Sequence, residues 1–150
     1  MALMSFEAYA AHLRAAAVRC RPLLEATLEA EFVAMGERAK ELPGDPGDPS
    51  WPALAGRTIK DKMDLAAQGK SAPPMNPLLR TGEMKESIEG GAIGLVGIIG
   101  AGDPKMAFHE FGTSRMPPRP IFSKILLHEL PRLEMVFDQI AVDLLVGTGV

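Results

Sequence analysis

Two dipeptides in this chain have the side chains of a metal-assisted hydrolase: His109-Glu110 and His128-Glu129 each set an imidazole, a metal ligand, beside a carboxylate able to act as base. A zinc helix that activates water needs two histidines one turn apart, as in His-Glu-x-x-His. The second position is Thr113 in one case and Arg132 in the other, so neither pair presents two ligands on one helical face. His12 is the only other histidine, and a hydrolase built on His109, Glu110 and His128 stands as the catalytic alternative. The run Gly97-Ile98-Ile99-Gly100-Ala101-Gly102 has the glycines of a phosphate cradle. It is followed by Asp103 and Pro104, which add a negative charge and remove an amide where a cradle needs donors at a helix start. It reads instead as a strand and turn packed close to a helix. No serine has a Gly-x-Ser-x-Gly setting, and Cys20 falls on an apolar helical stripe as a small core residue. The sequence calls for no catalytic group, cofactor or metal.

The elements that would position such residues follow from periodicity. From Ser5, a cap, to Leu42 the apolar residues Phe6, Tyr9, Leu13, Ala16 or Ala17, Cys20, Leu24, Leu28, Phe32 and Met35 recur at spacings of three and four. This predicts one long helix, kinked at Pro22. Glu25, Glu29, Glu31, Glu37 and Glu41 make its second half acidic, a wet face or the lining of a channel along which DNA slides. Loops are expected at 43–50 and 68–77, both rich in proline and glycine. Between them Thr58 and Asp61 suggest a capped helix to about Ala67, and Thr81 a cap for a helical turn reaching Ser87. Ile88 to Gly100 reads as a hairpin turning at Gly90-Gly91. A second long helix is expected from Phe122 to about Val146, kinked at Pro131 and stopped by Gly147. The fold class is α+β: a long N-terminal helix and a C-terminal helix packed on a small antiparallel sheet, in a single domain spanning 1–150.

Composition narrows the function classes. At 150 residues, 47% hydrophobic and 23% charged, the chain is an ordinary globular protein, and its net charge of −3 gives no global attraction to nucleic acid or anionic membrane. One cysteine excludes an intrachain disulfide and a cysteine-based zinc site. The N-terminus lacks a signal peptide's basic region and apolar core, and no run reaches the roughly 18 apolar residues of a membrane span. The expected setting is solution, in a cytoplasm. The stretch Ala107 to Pro120 is the stiffest joint: Gly112 offers a positive φ, while Pro117, Pro118 and Pro120 fix φ and remove amide donors. Arg115, Arg119 and Lys124, with Arg80 and Lys105 nearby, are expected as an exposed basic rim suited to partner recognition. A nucleic-acid-binding accessory role through that rim is the third reading.

Four blocks stand in order: Trp51-x-x-Leu54-x-x-x-Thr58-x-x-x-Lys62; Leu78-Leu79-Arg80-Thr81-Gly82-Glu83-Met84-x-x-Ser87-Ile88; Phe108-His109-Glu110-Phe111-Gly112-Thr113; and Met116-Pro117-Pro118-Arg119-Pro120-Ile121-Phe122. In type and order they resemble the tailed-bacteriophage HK97 gp10-like neck proteins and related tail-completion, or virion-morphogenesis, proteins. The chain departs from that pattern at Phe108 and at Ile121. The resemblance implies a structural protein of the virion neck or tail, present in the host cytoplasm during assembly. It implies a homo-oligomeric ring meeting adjacent connector, head-closure, tail-terminator or tail-tube proteins, with at most passing contact with DNA, no membrane and no enzymatic activity. Trp51, Phe111, Gly112, Thr113, Arg115 and Arg119 are the expected interaction residues.

Overall fold

The computed structural model describes residues 5–44, 51–70 and 73–146. The expected stop at Gly147 and parts of both expected loops lie outside the described residues. Helix α1 runs Phe6–Glu41, with the Ser5 hydroxyl accepting from the Ala8 amide at 3.2 Å as its cap. Pro22 lies inside it without dividing it. Helix α2 (Gly56–Ala67), the single turn α3 (Glu83–Glu86), strands β1 (Ile88–Ile93) and β2 (Val96–Ala101), helix α4 (Lys105–Phe111) and helix α5 (Phe122–Val146) complete the order. This is the α+β class expected, with both long helices and a two-stranded antiparallel sheet.

Three local expectations are corrected. Helix α2 starts at Gly56, two residues before Thr58, and its cap is Ala55, whose side chain has no acceptor to offer; Asp61 pairs with Arg80 at 3.1 Å. The cap of α3 is Gly82, at φ 92°, rather than Thr81. The hairpin turns at Gly94-Leu95, not at Gly90-Gly91, which pair with Ile99 and Ile98 inside the ladder. Those glycines are there for α1. A β-carbon at Gly36 would lie 2.5 Å from the Gly90 nitrogen, one at Gly90 would collide with the Phe32 carbonyl oxygen, and the Phe32 ring occupies the space a side chain at Gly97 would need. Helix and strand therefore meet backbone to backbone, an approach open only to glycine.

The core gathers where α1 crosses the hairpin: Phe32, Met35 and Ala39 of α1 pack with Trp51, Ile88, Met106, Ile121 and the α5 residues Ile125 and Leu133. Ion pairs flank it, with Arg38 of α1 on Glu129 of α5 at 2.8 Å and Arg132 of α5 on Glu31 of α1. With 36 residues, α1 is about 54 Å long, more than a small domain is wide. Four of its five buried residues fall at or beyond Phe32; toward its start only Ala16 is buried. That half of α1 lies against the end of α5, where His12 Nε2 is 3.1 Å from the Leu145 carbonyl oxygen. Phe6, 87% exposed, Tyr9 and Leu13 lie bare on the stripe that Met35 continues into the core.

Candidate functional site

The joint at 107–120 is partly helical, since α4 extends through Phe111 before Gly112 leaves it at φ 74°. A tight turn follows in which Thr113 and Met116 exchange amide-to-carbonyl bonds at 2.8 and 3.2 Å. The chain is then pinned back onto α4 by the Arg119 amide donating to the His109 carbonyl at 2.7 Å. Glu110 closes the corner. Its buried carboxylate accepts from the amides of Ile121 at 2.7 Å, Phe122 at 3.1 Å and Ser123 at 2.8 Å, and from the Ser123 hydroxyl. The first turn of a helix leaves amides without intrahelical partners, and this carboxylate supplies them for α5. Burial pushes the Glu110 carboxyl up, but the Ser123 hydroxyl and the three amides outweigh it and hold it below the usual carboxylate range.

Those contacts commit both oxygens of Glu110 to the fold. His128 is exposed at 81% of its side chain and 3.3 Å from Glu129, whose other oxygen is held by Arg38. His109 is half-buried, with its Nδ1 buried and unpartnered. Burial first, then the adjacent Arg119 charge, lower its pKa, against the opposing pull of Asp103. Among the described residues no three His, Cys, Asp or Glu side chains are grouped to hold a metal ion.

The residues expected at an interaction surface divide into two sets. Phe111 is 80% exposed, and Thr113 and Arg115 are exposed beside it on the tip of the joint, with Gly112 half-buried at its hinge. Trp51 and Arg119 are interior, and the burial of Arg119 corrects its expected place on an exposed basic rim. Trp51 belongs to the core with Lys124 Nζ 5.8 Å from its ring centre. Arg119 is only 6% exposed and donates to the carbonyl oxygens of Pro52 and Ala53 at 2.8 and 3.3 Å. Its guanidinium tethers the segment before α2, and burial lowers its pKa.

The four sequence blocks do converge, on a cleft of about 520 Å³ between α2, the 78–84 segment and the joint. Leu54 and Lys62 come from the first block, Leu78 and Arg80 from the second, His109 from the third, Arg119 from the fourth. Leu78 sits at φ 59°, a backbone state costing a bulky residue roughly 1–2 kcal/mol. Arg80, Lys105, Arg115 and Arg119, read from sequence as neighbours, do line one surface. Sequence reasoning passed over Lys62, which is 4% exposed and donates to the Asn76 carbonyl oxygen. Its signal was legible: it shares the helical face of Ile59 and Leu65, where a lysine is out of place.

No protein-family model, no curated protein and no solved structure matches this chain. Among the described residues no helix is long and apolar enough to cross a membrane.

Proposed function

We propose that this chain is a structural subunit of a tailed-bacteriophage or prophage virion, placed at the head-tail junction or tail end. It acts by assembling as a homo-oligomeric ring that joins or completes the tail. The observation that carries this reading is the bare half of α1. One apolar stripe is core near Met35 and uncovered at Phe6, Tyr9 and Leu13, and the facing end of α5 leaves Val142, Leu145 and Val146 exposed as well. Apolar side chains left exposed on both of these helix ends support an interaction site there. The hairpin tip adds Ile93, Leu95 and Val96, and the joint adds Phe111.

These surfaces lie on different parts of the subunit, which suits a ring. Head-to-tail contacts join one face of each copy to a different face of the next, and the ring closes when the rotation does. The order and type of the four blocks support the same class. In this reading the joint tip, with Phe111, Thr113 and Arg115, meets adjacent connector, head-closure, tail-terminator or tail-tube proteins. Trp51, Gly112 and Arg119 hold that tip in place. With a net charge of −3, contact with DNA in the channel is at most passing. Assembly takes place in the host cytoplasm and ends in the virion.

Co-expression with the proteins encoded beside it, followed by electron microscopy of the purified particles, tests the proposal. The expected result is a ring of this subunit at the neck or tail end. Particles that exclude it, together with a monomeric mass, would overturn it.

A further inference from the structure

Five cationic side chains and three carboxylates line the cleft between α2, the 78–84 segment and the joint. Arg80 is offset by Asp61 at 3.1 Å and Lys105 by Asp103 at 3.5 Å. Both of those pairs are exposed on the cation's side. Of the other three cations, Arg115 is exposed to solvent, while Lys62 and Arg119 are buried. Among the described residues, Lys62 bonds only a backbone carbonyl, that of Asn76, and Arg119 only those of Pro52 and Ala53. Among the described residues neither forms an ion pair with a carboxylate. Arg119 Nε is buried with no acceptor, and so is His109 Nδ1, both in residues that line the same cleft. Buried charges are ordinarily paired, because an unopposed one carries its full desolvation cost. The lowered pKa of Lys62, caused by burial, agrees with that cost being present.

We infer that this cleft is a binding site for an extended, acidic peptide segment of a partner protein, whose carboxylate side chain supplies the counter-charge that Lys62 and Arg119 lack. The inference stands on the buried cations and does not depend on ring assembly. Peptide is favoured over nucleic acid by the walls. Leu54, Leu78, Leu79, Met84 and Met116 make them largely apolar, and five cations against three carboxylates leave an excess that matches one or two carboxylates rather than a polyanion. The volume, about 520 Å³, falls inside the roughly 300–1,000 Å³ range of ligand clefts. A guanidinium or an ammonium makes charge-assisted bonds to a carboxylate, which a neutral amide does not replace.

The test is a titration of the full isotope-labelled chain with capped pentapeptides carrying Leu or Ala flanks and Asp, Glu, Asn or Gln at the centre. Inorganic phosphate and a short duplex DNA are titrated in parallel. The acidic peptides are expected to give saturable shifts at His109 and at the Arg119 Nε–H. The amide counterparts are expected to bind at least about tenfold more weakly. Lys62→Met is expected to weaken the acidic peptides by a similar factor while raising the Tm of the free protein, since it removes an ammonium that lacks a counter-ion. Equal affinity for acidic and amide peptides, or no saturable shift with any peptide, would overturn the inference. So would duplex DNA displacing the peptides, which assigns the cleft to nucleic acid, or phosphate displacing them at equal concentration, which makes it a simple anion site. A fall in Tm for Lys62→Met would reduce Lys62 to a tether for Asn76 and equally overturn it.

Discussion

The two halves of α1 are built from the same kind of residue at the same spacing and meet different fates. Near its end, Phe32, Met35 and Ala39 are enclosed by the hairpin, α4 and α5; near its start, Phe6, Tyr9 and Leu13 are exposed, with the end of α5 nearby among the described residues. The difference lies in what surrounds the stripe, not in the stripe itself. Gly36, Gly90 and Gly97 bring the sheet up to one half of the helix, and the other half has no sheet to receive it. A stripe written for burial and left bare is the physical argument for a neighbouring subunit.

Truncation breaks this comparison most directly. Met35→Ala is expected to cost about 2–5 kcal/mol in urea unfolding, the range for opening a cavity in a closed core. Equal costs for Met35→Ala and Leu13→Ala in dilute solution would mean that the two halves are alike and that the arm is as enclosed as the core. The corner between α4 and α5 comes next. Glu110→Ala strips three amides and a hydroxyl of their shared acceptor and is expected to cost about 2–4 kcal/mol, whereas Phe111→Ala, one residue on, should stay within about 0.5 kcal/mol.

The pH dependence sharpens the account of that corner. Glu110 is held below its ordinary value of 4.5, so the stability it contributes is complete above that pH and is lost as the pH falls through the lower folded value. His109 is also held below its ordinary value, 6.5, because the fold favours the neutral ring. Its contribution is complete above 6.5 and is lost as the pH falls from there through the folded pKa. Unfolding free energy followed against pH should therefore decline in two acid steps. Glu110→Gln removes the lower step and His109→Gln the upper one. An upper step that survives His109→Gln would place the titrating group elsewhere. In the arm, Phe6→Ser with Leu13→Ser should alter monomer unfolding by under about 1 kcal/mol in total.

Periodicity carried the long elements, because a helix of 36 residues and one of 25 repeat their pattern often enough to be read through Pro22 and Pro131. Local turn chemistry misled where a distant contact set the outcome. Gly90-Gly91 has the composition of a hairpin turn, yet its use is to admit α1, whose own Gly36 lies more than fifty residues away in the chain. The same limit applies to the joint. Arg119 beside three prolines reads as a surface group, and only the fold brings the carbonyls of Pro52 and Ala53 within its reach. Glu110, which sequence spacing removed from catalysis, could not be recognised as the cap of α5 until the chain between them was seen to fold back. Lys62 was the exception, legible as a charge on an apolar helical face.

The central claim is that the bare half of α1 is covered by another copy. Mass measured by sedimentation, from dilute to the highest soluble concentration, with and without the proteins encoded beside this one, tests it most directly. The account predicts a closed oligomer of one defined size for the wild-type chain and a monomer for the Phe6→Ser, Leu13→Ser variant, with both equally folded. A wild-type chain that stays monomeric throughout, or a variant that assembles as the wild type does, would contradict it.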